Sequence, residues 1–482
     1  MPRSRPNWKR CVQPKSLLEK IWQSHAVTQF DDGETLLYVD RVLMHEGFWW
    51  SIIDMLREKG LTIRRPSSLI ACADHLVPTA SRVNGYASIT DDRRRELIRR
   101  LENEGREIGA IVLGMMDEHQ GILHVVAPEQ GITQPGMVIV GSDSHTSTHG
   151  ALGALAFGIG TTEAVHAIST QTLWQNPPRS MRITVDGRLN PHASAKDLIL
   201  TIVVRLGVGG GAGRFVEYAG PAIDALSIDE RMTVCNMSIE MGARAGLIAP
   251  DDKTIDYLAG RPRAPQGADW DRAAADWRTL YSDQGAIFDH ELTIAGDAIV
   301  PMATWGTTLE QAIPISQTIP DPARESDGIR RRANEQALRY MDLKPGQRLS
   351  EVAIDRIFIG SCTNGRLQDL RAAAAVLRGR KVCVPSFVSP GSRDVKRAAE
   401  AEGLDRIFID AGFEWHDSGC SMCAGANGDQ LGPNQRCVAT SNRNFPGRQG
   451  PGSRTHIVSP ETAAASAVAG RLVSRGQLEA SA

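Results

Sequence analysis

Three observations on the sequence predict an α/β protein. Short apolar runs break into polar, glycine-rich loops and are followed by helical patterns, as in GMVIVGSDSHTSTHG. The pentapeptide DRIFI occurs twice, in AIDRIFIGSCTN and in GLDRIFIDAGFEWHDSGCSMC, and both times the chain runs on to cysteines. The chain has 482 residues, which at roughly 100 to 200 residues per domain is room for several such units.

In chain order, KSLLEKIWQSH places Leu17, Leu18, Ile21 and Trp22 on one helical face. DDRRRELIRRLENEG predicts a helix ending at Gly105, with Leu97 and Leu101 four apart. EIGAIVLGM reads as a short strand and GILHVV, carrying His124, as a strand-like run. GMVIV predicts a strand that opens into a loop, and GALGALAFGIGTTEAVHAISTQTL a helical region of small residues. A fresh strand at RSMRITVDG opens a second unit, and residues 261–284 read as surface helix and loop. TIPDPARESDGIRR, residues 318–331, reads as a linker. The expected units are 1–178, 179–321 and 322–482. In the last of them, both DRIFI segments are expected as parallel strands delivering their loops to one sheet edge.

Composition excludes several classes. Hydrophobic residues are 41% and charged residues 23%, ordinary for a folded chain. Fifty-four basic residues face 56 acidic ones, for a net charge of -2, so nothing draws the whole molecule to nucleic acid or an anionic membrane. The basic start MPRSRPNWKR has no apolar run after it, reads as a short leader rather than an export signal, and makes a cytoplasmic location the expectation. No stretch approaches a membrane span. Eight cysteines are too few for a disulfide scaffold in a chain of this length.

The chemistry-bearing residues fall in loops. Cys420 and Cys423 in SGCSMC suit a thiol redox pair, half of a zinc site completed by Cys437 or His416, or, with Cys362 in GSCTN, an iron–sulfur cluster. Asp74 beside His75, and Asp143 near His145, are pairs in which a carboxylate can set imidazole tautomer and basicity. Asn236 and Glu240 stand four apart in CNMSIEMGA, one face of a helix, with Glu240 suited to acid/base work. Arg443 and Arg448 in SNRNFPGRQG offer guanidinium forks to carboxylates.

Taken together and in order, ADH, PEQGITQPGMVIVGSDSHTSTHGALGALAFGIGT, CNMSIEMGA, IGSCTN, GCSMC and SNRNFPGRQG resemble the aconitase superfamily from about Leu17 to Gly470. The closest likeness is to its branch that isomerises isopropylmalate in leucine biosynthesis. The resemblance implies three α/β/α domains around a central cleft, without the swivelling fourth domain. It implies one [4Fe-4S] cluster on Cys362, Cys420 and Cys423 with a labile fourth iron. Asp74, His75, His124, Asp143, Ser144, His145 and Glu240 are then catalytic. His45, Asn236, Asn364, Arg443, Asn444 and Arg448 surround substrate or cofactor.

The implied reaction is dehydration of 2-isopropylmalate and rehydration to 3-isopropylmalate through 2-isopropylmaleate. A separate small subunit of roughly 160 to 210 residues, one domain in size, would carry the swivelling domain and a serine base. The chain departs from the branch at Gly47–Trp50 (GFWW), Leu76, Val165 and Arg214. A hydro-lyase acting on citraconate, 2-methylmalate or another substituted malate is therefore the alternative. An RNA-binding regulatory role is a third reading, and the balanced charge gives it no support.

Overall fold

The computed structural model describes residues 13–481; the reading of the basic start as a leader lies outside them. Its frame is three parallel sheets in succession along the chain, and their strands are numbered here. The first comprises β1 Arg41–His45, β2 Leu69–Cys72, β3 Ile111–Leu113, β4 Val138–Gly141 and β5 Leu155–Gly158, in spatial order β3-β2-β1-β4-β5. The second comprises β6 Arg179–Asp186, β7 Arg214–Ala219, β8 Ala245–Ile248 and β9 His290–Ala295, in order β8-β7-β6-β9. The third comprises β10 Arg356–Ile359, β11 Ser386–Val388, β12 Phe413–Trp415, β13 Arg436–Ala439 and β14 Arg454–Ile457, in order β12-β11-β10-β13-β14.

Every pairing in these sheets is parallel. Helices follow most strands, so the sheets are covered and the strands read as unbroken apolar runs. In the first and third sheets the strand order reverses beside β1 and β10. Such a reversal leaves a crevice at the carboxyl ends of the strands. There β1 leads into His45 and Glu46, β2 into Asp74 and His75, β4 into Asp143 to His145, β10 into Cys362, and β13 into Asn442 and Arg443.

Helix Leu17–His25 forms on the expected face. Leu17, Leu18, Ile21 and Trp22 are buried, and Ser16 and Glu19 make a capping box at its start. Several other elements differ from expectation. The helix expected to stop at Gly105 runs from Asp92 to Ile108 and stops at Gly109, whose φ of 83° only glycine adopts freely. Gly105 lies inside it because a Cβ there would meet Val112 at 2.8 Å and Trp49 at 3.6 Å. GALGALAFG is not wholly helical. Residues 155–158 form the buried strand β5, and helix begins only at Thr161.

His124 sits in helix Leu123–Glu129 rather than a strand, because the Asp74 carboxylate accepts the Leu123 N–H at 2.9 Å and anchors the helix start. The two DRIFI segments part company. The first is β10, with Ile357, Phe358 and Ile359 fully buried between β11 and β13. The second is helix Leu404–Ala411, bracketed by left-handed Gly403 and Gly412. It buries Leu404, Phe408 and Ala411 and leaves Ile409 53% exposed. The strand leading to Cys420 is the next segment, β12. In the 318–331 stretch the chain is helical from Gly328, where the Asp327 side chain caps it. No helix among the described residues is long and apolar enough to cross a membrane.

Candidate active site

The residues at the strand ends join into one chain of charge-bearing contacts. The Asp74 carboxylate meets His75 Nδ1 at 2.5 Å, and His75 Nε2 stands 3.7 Å from Asp143. The other Asp143 oxygen faces His124 Nε2 at 3.5 Å and His145 Nδ1 at 3.1 Å. His145 Nε2 reaches Glu240 at 3.1 Å. Glu240 accepts from Arg443 Nε at 2.9 and 3.2 Å, and Arg443 Nη2 donates to Ser144 at 3.0 Å. Residues far apart in sequence thus form a continuous relay from Asp74 to Arg443.

Electrostatics sort their protonation. Burial pulls the His75 pKa down, but Asp74 first, then Asp143 and Glu46, raise it to about 10. His145 is likewise raised against burial by Asp143 and Glu240. Burial favours the neutral form of Asp143 and Glu240. It is outweighed by His124 and His145 for the first and by His145 and Arg443 for the second, and both carboxyls stand below their ordinary range. His45, stacked face-on against His75 with centroids 4.1 Å apart, is pushed to about 4 by burial and by the neighbouring imidazolium. The site therefore sets a cationic His75 against a neutral His45, with the charged form of His145 favoured between the carboxylates of Asp143 and Glu240.

Glu46 escaped the sequence reading. It is fully buried and accepts the backbone N–H groups of Asp74, His75 and Leu76 at 3.1, 2.8 and 2.6 Å. It shapes the loop that presents the Asp74–His75 pair. Burial and the Asp74 charge raise its pKa to about 7. An acidic residue directly at the end of an apolar strand is the signal that could have found it. Lys196 was also missed. It is buried, and its Nζ donates to Asn364 Oδ1, Thr440 O and Ser441 O at 2.9, 2.8 and 2.8 Å, tying the second unit's helix to the loops after β10 and β13.

The remaining expected residues divide. Asn236 and Glu240 do not share one helix face: the α-helix ends at Met237 and a 3₁₀ turn follows. Asn236 Nδ2 instead donates to Cys362 Sγ at 3.2 Å. Asn364 spends its amide on Lys196, Thr233 and Asp369. Asn444 spends its own on Thr304, Gly306 and Thr455 and does not enter the relay. Arg448 Nε donates to the Cys423 carbonyl at 2.7 Å. Of the departures, Val165 is a buried core residue, the Leu76 side chain packs on a small apolar cluster, and Arg214 begins β7. Two cavities, of about 270 and 520 Å³, meet at Arg443.

The cofactor expectation is corrected. Among the described residues, the group whose ligand atoms lie within 4.8 Å of one another is His45, Glu46, Asp74 and His75, not Cys362, Cys420 and Cys423. The three thiols are buried, Cys362 on the loop after β10 and Cys420 and Cys423 together on the loop after β12. Cys362 Sγ takes amide donors from Asn236 and Asn442, and Cys423 Sγ meets Asn442 Oδ1 at 3.5 Å. Burial first, then the neighbouring Cys423, push the Cys362 thiol up to about 12.

A strand-end relay of this kind on parallel sheets defines a class, and comparison places the chain in it. Residues 19–470 match the model of the aconitase family (aconitate hydratase), so the chain belongs to that family and is an enzyme of the hydro-lyase class. The chain is 52% identical over 460 residues to the 3-isopropylmalate dehydratase large subunit of Anaeromyxobacter dehalogenans, covering 95% of this chain and 96% of that one. It is 52% identical over 461 residues to the protein of the same name from Roseiflexus castenholzii, covering 95% and 98%. Among solved structures, the holo-form of aconitase X from Thermococcus kodakaraensis overlaps 85% of this chain and 84% of its own, at TM-score 0.45 and 14% identity.

Proposed function

We propose that this chain is the large, catalytic subunit of a two-subunit hydro-lyase that interconverts 2- and 3-isopropylmalate through 2-isopropylmaleate, in leucine biosynthesis. The relay from Asp74 to Arg443 carries the reading, together with the name of the relatives that match end to end. Three α/β units, bounded near residues 178 and 321, would surround the cleft, and the succession of the three sheets supports that division.

Hydroxide is a poor leaving group, so it must depart as water. His75, kept cationic by Asp74, is the proton donor at the leaving oxygen: Asp74 holds its Nδ1, and its Nε2–H, 3.7 Å from Asp143, is left without a hydrogen-bond partner among the described residues and free to face the substrate. His145, its two ring nitrogens on Asp143 and Glu240, holds both carboxylates in place. Arg443 and Arg448 hold the substrate carboxylates through the guanidinium N–H groups not spent on Glu240, Ser144 and the Cys423 carbonyl, which keeps the unsaturated intermediate in register for the second half.

The carboxylates of the relay are each committed to a cation and held low, and Glu46 is turned to three backbone N–H groups. None of them is free to take a proton from carbon. A base brought by a second chain answers that need, and a small subunit carrying the swivelling domain and its serine completes the cleft. The test is to copurify this chain with the small subunit and offer both isopropylmalates, citraconate and citrate. The complex is expected to turn over isopropylmalate while the isolated chain does not. Strong turnover by the isolated chain would refute the two-subunit reading, and turnover of citraconate alone would refute the substrate.

A further inference from the structure

Phe48 is a partly exposed aromatic side chain placed beside the reactive histidines. The helix Glu46–Glu58 begins directly at the end of β1, and His45 caps it, its Nδ1 accepting the Gly47 N–H at 3.2 Å. Residue 47 has to be glycine for this, because a Cβ would lie 2.9 Å from His45 Cε1. The His45 ring is thereby folded back over the helix start. One side of it meets His75 face to face, at 4.1 Å. Phe48 meets it edge-on at 5.3 Å, with the rings 83° apart. Phe48 therefore lies two ring spacings from the proton donor.

The neighbours of Phe48 do different things. Trp49 is fully buried in the core and its indole N–H donates to Glu104 at 2.8 Å. Trp50 lies roughly 200° around the helix from Phe48, at 100° per residue. Phe48 is 45% exposed. The relay residues (Asp74, His75, Asp143, His145, Glu240, Arg443) are polar and suit hydroxyl and carboxylates, and Phe48 is the aromatic side chain set against the His45–His75 end of them.

We infer that Phe48 is a specificity-determining residue: its ring is the apolar wall for the alkyl branch of a substituted malate whose hydroxyl lies at His75. This rests on the proposed function and names the part of the site that distinguishes a branched alkyl substituent from a methyl group. One methylene in such a pocket discriminates by roughly 10- to 200-fold, so a whole ring against an isopropyl group should be readily measured.

The experiment uses the complex of this chain with the small subunit, comparing dehydration of 3-isopropylmalate with hydration of citraconate. Phe48→Ala is expected to lower kcat/KM for isopropylmalate by roughly tenfold or more, mainly through KM, and to change that for citraconate by less than about twofold. Phe48→Leu, which restores an apolar wall, is expected to recover most of the loss, and Trp50→Ala to leave the ratio of the two substrates unchanged. An equal fall for both substrates, with weaker assembly of the two subunits, would overturn the inference and make Phe48 a docking residue. Unchanged constants in Phe48→Ala would overturn it as well. A parent complex inactive on every substituted malate would refute the proposed function itself, a result told apart by the parent enzyme alone.

Discussion

Replacing Asp74 by Asn removes the charge that makes His75 an acid while keeping the shape of the side chain. Asp74 faces His75 Nδ1 at 2.5 Å with one oxygen and accepts the Leu123 N–H at 2.9 Å with the other. Burial alone would hold His75 below 6.5, yet it stands at about 10, with Asp74 the leading cause of the rise. At about 1.4 kcal/mol per pKa unit, that rise is an interaction on the order of 5 kcal/mol in favour of the imidazolium. Asn can still accept from Leu123 with its oxygen. Its amide N–H then faces Nδ1, which must accept and stay unprotonated.

The His75 pKa is expected to fall from about 10 by two units or more, leaving the ring mostly neutral above pH 9. Loss of the general acid should lower turnover by roughly 10²- to 10⁴-fold. The sign of the stability effect follows from linkage. A histidine raised in the folded state contributes stability that is fully present below about pH 6.5 and is lost as pH rises through about 10. The parent's advantage over Asp74→Asn in thermal midpoint should thus be large at pH 6.5, shrink through pH 8, and vanish above pH 10. A histidine-selective NMR titration, with melting curves at three pH values, measures both. His75 still protonated above pH 9 in the variant, or an advantage that grows with pH, would refute the reasoning.

Three further changes test other parts of the site. Lys196→Met keeps the buried stem but strands the three oxygens that Nζ serves. At roughly 1 to 3 kcal/mol for each unpaired acceptor, the melting temperature should fall by roughly 10 °C, and a change under 2 °C would contradict the assignment. Glu46→Gln leaves one acceptor oxygen where two serve three N–H groups, and turns an amide N–H toward the donor of Asp74. Calorimetry should show a loss of roughly 2 to 4 kcal/mol, and turnover should fall as the His75 loop shifts. Arg443→Lys keeps the charge but loses the fork that spans Glu240 and Ser144. A drop in kcat/KM of roughly 10- to 100-fold with an unchanged melting temperature is expected from steady-state kinetics.

The sequence by itself determined what depends on neighbours in the chain. The α/β class was legible in apolar runs that break into polar loops, and helix Leu17–His25 in its spacing and cap. The pairs Asp74–His75 and Asp143–His145 were legible because adjacency alone puts a carboxylate within reach of an imidazole. Tertiary structure decided the rest. The same DRIFI is a strand where two neighbours supply hydrogen-bond partners and helix where Gly403 and Gly412 bracket it and only one face meets the core. His124 is helical because a carboxylate from another loop holds the helix start.

The relay itself joins residue 74 to residue 443, and Glu46 and Lys196 take their importance from backbone groups that only the folded chain brings to them. The cysteines show the limit most plainly. Their spacing suggested a ligand set, but ligand distance is set by which strand ends the sheets bring together, and the close set is His45, Glu46, Asp74 and His75. Local chemistry is written in the order of residues, whereas a site built across three sheets depends on packing, which sequence spacing does not encode.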